Sequence, residues 1–168
     1  RLIPCYFGSA LKLEGVDAFL NGLHQYTLSL PYPEQFGARI FKIAADEKGN
    51  RLSYLKITGG TLRVRDAVSY TAGDKTAMQE KVSQIRIYAG AKYETADSAP
   101  AGTVCAVTGL SRTYAGQGLG ITENGAEPLL EPVLHYGIHL PEQVHPTDAL
   151  KQLSQLEEED PALHIVWD

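Results

Sequence analysis

The residues of this chain that could carry chemistry fall into small sets, and none has the spacing of a reaction centre. His135 and His139 stand four residues apart, and His145 follows closely. A zinc site would need a tighter arrangement and a fourth ligand, so ordinary strand histidines and no metal are the preferred interpretation. No arrangement of Ser, His and Asp or of Cys and His indicates nucleophilic catalysis, and no catalytic residue is predicted.

A glycine-rich segment at 116–120 and two cysteines complete the sets that could suggest chemistry. The glycine spacing differs from that of a dinucleotide-binding loop and no helical pattern follows it, so a flexible turn is favoured. Cys5 and Cys105 lie in different apolar runs, without the spacing of a disulfide or metal pair. They are interpreted as buried free thiols in a reducing compartment, and the cytoplasm is the expected location.

The bulk composition is that of an ordinary globular chain and argues against several functional classes. Hydrophobic residues make up 43% and charged residues 21% of the 168 positions. No apolar run is long enough to cross a bilayer, so no membrane partner is expected. The formal net charge is -5. A protein that grips nucleic acid by itself usually has a basic surplus, so DNA is not expected and any RNA contact requires a local basic patch.

The elements that must position these residues begin with a strand, a helix and a linker. Residues 2–7 have the composition of a short strand. The next segment places four apolar residues at the spacing of one helix face: Val16, Phe19, Leu20 and Leu23. Pro31 and Pro33 remove backbone donors from residues 25–35, which are therefore expected to form an extended linker.

Residues 36–121 predict a β-barrel. Short segments with alternating apolar residues are separated by turn signals such as Gly59-Gly60. The apolar run at 103–107 suits a strand buried on both faces, whereas the polar stretch at 71–81 is expected to be an excursion at the barrel rim. Many short strands with glycine-rich turns are typical of closed or nearly closed barrels.

The last third predicts a β-α-β unit, half of a split β-α-β sandwich. Strands are expected at 133–140 and 163–167, on either side of a helix. His145-Pro146 opens this helix, and Asp160-Pro161 ends it. Its buried stripe is expected to consist of Ala149, Leu150, Leu153 and Leu156.

Six segments in a fixed order resemble the translational GTPases, most closely the branch that contains elongation factor G and the tetracycline-resistance ribosomal protection proteins. Their order along nearly the whole chain carries more weight than any single motif. The segments 51–54 and 62–66 favour the ribosomal protection proteins, and an elongation factor G-like translocation factor is the alternative. The six segments are 8–11, 37–43, 51–57, 59–62, 131–134 and 156–161.

The resemblance implies a mainly β fold whose centre is a translation-factor domain II-type β-barrel at 31–127. An N-terminal β-α remnant of a GTP-binding domain, with its linker, would occupy 1–30. The C-terminal β-α-β half of a ferredoxin-like domain would begin at 128 and run to 168. We therefore expect the chain to be a piece of a larger protein that binds GTP and Mg and docks on the ribosome; a protection protein would also expel tetracycline.

In the intact parent, the resemblance assigns Ser9, Ala10 and Leu11 to the loop that recognises guanine. An ordinary strand-to-helix turn with a serine cap is the alternative. The patterns Gly-x-x-x-x-Gly-Lys-[Ser/Thr] and Asn-Lys-x-Asp, which a GTPase needs, do not occur in the 168 residues. We therefore expect no cofactor and no GTPase activity in this piece alone, whose share would be docking and relay between domains.

Basic residues are concentrated in the first half of the predicted barrel. In the family this barrel leans on small-subunit ribosomal RNA, so the resemblance implies contacts to the RNA backbone. Solvated strand faces are the alternative interpretation. Lys56 adds to the basic bias, and the predicted RNA contacts are Arg39, Lys42, Arg51, Arg63 and Arg65.

Three other classes of protein stay open at this point. A free-standing barrel could bind single-stranded nucleic acid by stacking bases on aromatic side chains, although the acidic balance argues against it. A flavin-carrying barrel and a structural module without a ligand are the other two. The aromatic residues that could stack bases are Tyr54, Tyr70, Tyr88 and Tyr93.

Overall fold

A computed structural model describes residues 3–28, 31–125 and 133–166 of the chain. The described residues form two compact units, one within Arg1–Pro31 and the other within Tyr32–Asp168. The first unit contains helix α1 (Val16–Tyr26), and the second contains the strands and helix α2 (Pro146–Glu159). A short 3-10 helix, Pro161–Leu163, follows α2.

The first unit is built around α1, which forms where the apolar spacing predicts it. The Tyr6 ring packs on this helix and meets Phe19 edge-on, with 5.9 Å between ring centroids. Gly22 is needed at this contact because a Cβ there would overlap the Tyr6 hydroxyl. The predicted strand at 2–7 is wrong over its described residues, since a strand needs a hydrogen-bonding neighbour and none of the described strands pairs with 3–7.

Strands dominate the second unit. Six of the described strands form one antiparallel sheet in the order β10-β1-β2-β9-β6-β7, while β3 pairs with β8 and β4 pairs with β5. The strands are β1 (Gly37–Ala45), β2 (Arg51–Gly59), β3 (Thr61–Arg63), β4 (Ala67–Thr71), β5 (Ala77–Lys81), β6 (Gln84–Ala89), β7 (Lys92–Ala96), β8 (Ser98–Pro100), β9 (Val104–Thr108) and β10 (Gly118–Gly120).

One apolar core lies on the inner side of these strands. Alternation sends Ile40 of β1 and Leu55 of β2 inward, and both are fully buried. The short strand pairs join the same core through Leu62 of β3 and Val68 of β4, which lie in one cluster with the residues of the large sheet. The strands therefore enclose a common interior, as expected for the predicted barrel.

Two turns explain how the chain changes direction around this core. Gly60 has a φ of 59° between β2 and β3, and a Cβ there would lie 2.8 Å from the Glu34 carbonyl oxygen. The predicted Gly59-Gly60 turn therefore depends on glycine. At the β1–β2 turn, the Asp46 carboxylate accepts hydrogen bonds from the backbone N–H groups of Lys48 and Asn50. This arrangement closes the hairpin locally.

Three segments of the barrel differ from the sequence-based expectation. The polar stretch at 71–81 contains a strand, because Ala77–Lys81 pairs with Ala67–Thr71 as a hairpin. The segment at 116–120 is more than a flexible turn, since Gly118–Gly120 pairs with β1. Val104 is 51% exposed, so the strand in the 103–107 run is not buried on both faces along its whole length. In each case pairing between distant segments decides the outcome.

Helix α2 runs from Pro146 to Glu159, and Asp160 caps its end, in agreement with the predicted start at His145-Pro146 and stop at Asp160-Pro161. Within its predicted stripe Ala149 is buried, Leu150 and Leu153 are half-buried, and Leu156 is 53% exposed. The two flanking strands are wrong over their described residues: 133–140 has no regular structure, and a 3-10 helix begins the last segment. No described strand pairs with either segment, which leaves their backbone groups without a sheet.

The mainly β architecture thus agrees with the sequence, and the domain boundaries at 30 and 127 remain predictions. Among residues 3–28, 31–125 and 133–166, no helix combines the length and the apolar composition that crossing a membrane requires.

Candidate functional site: an aromatic and basic sheet face

The outer face of the six-stranded sheet brings together aromatic and basic side chains that are far apart in sequence. On β2, alternation points Tyr54 and Lys56 away from the core. On β1, a register shift between Ile40 and Lys42 leaves both Phe41 and Lys42 exposed instead of only one of them. We define the outer face by Arg39, Phe41, Lys42, Tyr54, Lys56, Arg86, Tyr88, Tyr93 and Ala106.

Four rings form a continuous row on this outer face. The centroids of Phe41 and Tyr54 are 6.3 Å apart, those of Tyr54 and Tyr88 are 5.5 Å apart, and those of Tyr88 and Tyr93 are 5.3 Å apart. These separations lie in the range of favourable ring pairs. Phe41 and Tyr93 end the row, and they are 51% and 45% exposed. We call these four residues the aromatic row.

Ala106 of β9 explains how rings from separate strands can meet. It stands opposite Tyr54 on one side and opposite Arg86 on the other. Ala106 is fully buried although it lies outside the main apolar cluster. Its small side chain therefore leaves room for the neighbouring rings to close over the sheet.

Arg86 holds the Tyr93 end of the row in place. Its guanidinium lies 4.6 Å from the centroid of the Tyr93 ring. The same group donates to the Asp46 carboxylate at 3.0 Å and to Gln84 Oε1 at 2.7 Å. Because both partners of the Arg86–Asp46 pair are largely buried, the pair fixes the cation and leaves it no free charge for a ligand.

The electrostatics of the row follow from these contacts. Burial, and then the neighbouring Tyr88 hydroxyl, raise the pKa of Tyr54 to about 12, so its phenol carries no negative charge at neutral pH. Hydrogen bonds from Asn50 are the main reason that the pKa of Asp46 falls to about 2, and Arg86 lowers it further. The Asp46 carboxylate is thus ionised and paired with Arg86 at neutral pH.

Three cations of the outer face keep their charge available. Arg39 donates to the backbone carbonyl of Glu123 at 3.1 Å, a neutral acceptor that does not cancel its charge. Lys42 Nζ lies 5.6 Å from the centroid of the Tyr54 ring. Lys56 is exposed and stands directly opposite Arg39 in the register. The outer face is therefore locally positive in a chain whose net charge is -5.

Arg51, also a predicted RNA contact, is engaged within the protein instead. Its guanidinium donates to the Leu110 carbonyl and to Thr113 Oγ1, both at 3.0 Å, and to the Thr113 carbonyl. It also pairs with Glu158 of α2 at 2.8 Å. Ser53 lies within reach and is itself hydrogen-bonded to Thr113. These partners engage all three nitrogens of the guanidinium, so Arg51 has little capacity for a ligand.

A cleft of about 520 Å³ lies beside this arginine, between the end of the β1–β2 pair and α2. The Glu159 carboxylate accepts a hydrogen bond from the backbone N–H of Ala45 at 3.0 Å. Together with the Arg51–Glu158 pair, this contact fastens α2 to the barrel. The acidic end of α2 therefore attaches the helix to the barrel.

The remaining predicted RNA contacts lie elsewhere. Arg63 ends β3 and Arg65 occupies the turn that follows, where it has a φ of 74°. Both are exposed, and β3 is not part of the six-stranded sheet. The five predicted contacts thus divide into Arg39 and Lys42 on the outer face, Arg51 inside a polar network, and a separate exposed pair.

Tyr70 is also separated from the aromatic row. It is 7% exposed and donates through its hydroxyl to the Glu80 carboxylate. That carboxylate also accepts hydrogen bonds from Ser111. Burial and the Glu80 contact raise the pKa of Tyr70, which indicates a structural role. Of the four tyrosines proposed for base stacking, only Tyr54, Tyr88 and Tyr93 lie together.

The segment assigned to guanine recognition forms a tight turn before α1. The Ser9 N–H donates to the Glu14 carbonyl at 2.9 Å, and Leu11 is 96% exposed. A shallow cavity of about 170 Å³ lies beside Ser9 and Ala10. This geometry is that of a closed turn before a helix, with an exposed residue at its tip.

The cysteines and histidines take ordinary positions. Cys105 is buried, as predicted, and burial raises the pKa of its thiol to about 11. Cys5 is exposed, so the prediction that it is buried is wrong, because the predicted strand that contains it does not form. His135 and His139 lie in an exposed segment without regular structure. In the described part of the chain, no three His, Cys, Asp or Glu side chains converge as a metal site.

The sequence patterns missed Phe41, Arg86 and Ala106. Their roles depend on which strands are neighbours and on the β1 bulge, and neither is visible in local alternation. The available signal was partial: several aromatic residues recur at outward positions of predicted strands. That signal could not separate the row from Tyr70.

Comparisons with known proteins agree over most of the chain. Residues 35–120 match a family model described as elongation factor G domain 2. Elongation factor G from Amoebophilus asiaticus is 29% identical, with 96% of this chain and 26% of that protein covered. Elongation factor G 2 from Syntrophus aciditrophicus is 32% identical, covering 100% of this chain and 28% of that protein. The oxytetracycline resistance protein from Streptomyces rimosus is 27% identical, covering 98% and 26%.

The chain therefore spans about a quarter of the length of these curated relatives. Among solved structures, GDP-bound aIF5B from Aeropyrum pernix has a TM-score of 0.58 and 19% identity, covering 70% of this chain and 22% of that one. This likeness concerns the fold alone.

Proposed function

The chain belongs to the elongation factor G domain 2 family, and from that membership we propose that it is the ribosome-docking part of a translational GTPase. The resemblance to this group of proteins, based on the order of six segments, is confirmed by the family match and the relatives. The mainly β, domain II-type fold is confirmed as well. The observation that carries the proposal is the match over 35–120, the region that forms the barrel.

In this proposal the parent protein binds GTP and Mg, works in the cytoplasm and uses hydrolysis to leave the ribosome. Ser9, Ala10 and Leu11 would belong to the guanine-recognition loop of the parent. The chain itself would contribute docking and would relay movement between neighbouring domains. Ribosomal protection against tetracycline and elongation factor G-like translocation receive equal support, because relatives of both kinds match at similar identity.

The outer face is the part of the barrel best suited to ribosomal RNA. Arg39, Lys42 and Lys56 present free positive charge there, whereas Arg51 is occupied by Glu158 and by barrel carbonyls. Cations that face phosphates fix the position of a protein on RNA without reading its sequence. Docking would therefore depend on Arg39, Lys42 and Lys56 more than on Arg51.

The test is co-sedimentation of the chain with small ribosomal subunits over a range of salt concentrations. We expect binding that weakens steeply with salt, and at least tenfold weaker binding for Lys42→Glu/Lys56→Glu. Lys75→Glu/Lys151→Glu makes the same change in net charge at exposed positions away from the outer face, and it should bind like the unsubstituted chain. A chain that does not sediment with subunits even at low salt would contradict the docking function.

Arg63→Glu/Arg65→Glu completes the design, because it places the same charge change on the separate exposed pair. If that variant loses binding while Lys42→Glu/Lys56→Glu does not, the docking face lies around the turn after β3. The proposal would then keep its function and lose its assigned surface.

A further inference from the structure

We propose that the outer face stacks unpaired RNA bases on its aromatic row, a contact different in kind from the phosphate contacts of its cations. This inference rests on the proposed function, because it specifies how the outer face that docks on the ribosome contacts RNA. The partner it commits to is a single-stranded or bulged RNA segment whose bases are free to leave their helix.

Accessible ring surface is the first requirement, and the two ends of the row meet it. Phe41 and Tyr93 each expose about half of their surface, whereas the rings between them are partly covered by their neighbours. An exposed aromatic face attracts any nucleobase, because every base has a π-face. The row thus offers two stacking positions on one continuous surface.

A fixed orientation of these rings is the second requirement. Tyr93 lies against the guanidinium of Arg86, which is held by Asp46 and Gln84. Phe41 is supported by the Tyr54 ring and by the bulge that turns it outward. Rings that are already ordered lose little conformational freedom when a base binds, which favours affinity.

Charge decides between RNA and a protein as the partner. Alternation places Arg39, Lys42 and Lys56 at outward positions and turns the exposed Glu94 of β7, which pairs with Ile87, to the other side of the sheet. The nearby Asp46 is paired with Arg86. A ligand that combines flat apolar faces with closely spaced negative charge complements this arrangement. Unpaired RNA has this combination, since each exposed base is attached to a phosphate.

Duplex RNA separates stacking from simple charge attraction. Its bases are already stacked on one another, and its charge density is at least as high as that of a single strand. Attraction through phosphates alone therefore predicts that a duplex binds as well as, or better than, the single strand. Stacking on the row predicts the opposite preference.

The experiment measures fluorescence anisotropy of an eight-nucleotide RNA single strand and of the matching duplex, with the full chain at moderate salt. We expect tighter binding of the single strand, and about tenfold weaker single-strand binding for Phe41→Ala/Tyr93→Ala. Phe41→Tyr/Tyr93→Phe should bind like the unsubstituted chain because it keeps both aromatic rings. Tyr136→Ala removes an exposed tyrosine from outside the barrel and should also leave binding unchanged.

Folding is controlled by urea denaturation of each variant, and a variant with an unchanged midpoint is compared directly. If Phe41→Ala/Tyr93→Ala shifts the midpoint, the single substitution Tyr93→Leu, which keeps apolar bulk without a π-system, replaces it. The inference would be overturned if duplex and single strand bound equally well and Phe41→Ala/Tyr93→Ala lost no affinity for the single strand.

Sedimentation with small subunits separates failure of this inference from failure of the docking function. If Lys42→Glu/Lys56→Glu loses subunit binding and Phe41→Ala/Tyr93→Ala loses neither subunit nor single-strand binding, docking stands and stacking is refuted. Stacking is also refuted if Phe41→Ala/Tyr93→Ala loses subunit binding while the unsubstituted chain shows no preference for single strands. The row would then contact a ribosomal protein.

Discussion

Arg51 and Lys42 lie on neighbouring strands and carry the same charge, yet their surroundings assign them opposite tasks. Arg51 directs its guanidinium to carbonyl and hydroxyl groups at the end of the barrel and to Glu158 of α2. Lys42 projects from the outer face, where its ammonium approaches the Tyr54 ring. The first region uses positive charge to hold the protein together, and the second leaves positive charge free for a partner.

This difference shows that the number of basic residues in a segment does not measure its capacity to bind RNA. A guanidinium whose three nitrogens all donate to groups of the protein itself offers a ligand little, however close to the surface it lies. Separating the two tasks experimentally requires substitutions that change stability in one region and binding in the other.

The largest effect on stability is expected for Arg51→Ala. Removing the guanidinium leaves the Leu110 and Thr113 carbonyls and the Ser53–Thr113 hydroxyl pair without their charged donor. We expect a loss of about 3 kcal/mol in the free energy of unfolding, measured by urea denaturation. Glu158→Gln is the matched control: Glu158 is half-exposed, so weakening its pair should cost less than about 1 kcal/mol. Equal losses of unfolding free energy in the two variants would mean that Arg51 stabilises the protein through its contact with α2 and not through the barrel network.

A smaller loss of stability is expected for Ala106→Leu. The added side chain must fit beneath the Tyr54 ring, where Ala106 is fully buried, and overpacking of this kind costs about 1–3 kcal/mol. The displaced rings should also change the near-ultraviolet circular dichroism of the tyrosines. Val104→Leu, at an exposed position of the same strand, should leave both the spectrum and the free energy of unfolding nearly unchanged. An unaltered spectrum in Ala106→Leu would show that Ala106 does not set the arrangement of the row.

The smallest effect is a dependence of stability on acidity through Asp46. Its pKa falls from 3.8 in the unfolded chain to about 2 in the folded protein, because Asn50 and Arg86 stabilise the carboxylate. A carboxylate whose pKa is lowered by folding stabilises the folded protein at pH values above the pKa that it has in the unfolded chain. This contribution is lost as the pH falls through the folded-state pKa of about 2. Chemical denaturation at pH values between 5 and 2 should therefore show a decline that Asp46→Asn reduces. An identical decline in the two proteins would place the effect on other carboxylates.

Local patterns predicted the parts of the fold that local interactions determine. Helices α1 and α2 form where apolar spacing and the Asp160-Pro161 stop place them. The expected strands at 133–140 and 163–167 fail because strand formation requires a neighbour, and composition alone does not supply one. Strand β5 was missed for the complementary reason: it lies in a largely polar stretch, but β4 is available to pair with it.

The candidate site was predictable in its ingredients and not in its arrangement. From sequence, Arg39 and Lys42 were predicted as RNA contacts, and Tyr54 was named as a residue that could stack bases. Their grouping with Tyr88 and Tyr93 depends on the order β1-β2-β9-β6-β7, which is set by contacts between segments far apart in the chain. The withdrawal of Arg51 depends on Thr113 and Leu110, whose positions no local pattern reveals.

The bulge in β1 affects how changes in the sequence can alter the outer face. Ordinary alternation would allow one outward side chain in the span where the bulge presents Phe41 and Lys42 together. Deleting one residue there would restore regular pairing and remove an aromatic or a cationic group from the surface in a single step, while the buried residues on either side could keep their places. The bulge thus makes the chemistry of the outer face adjustable through chain length as well as through side-chain identity.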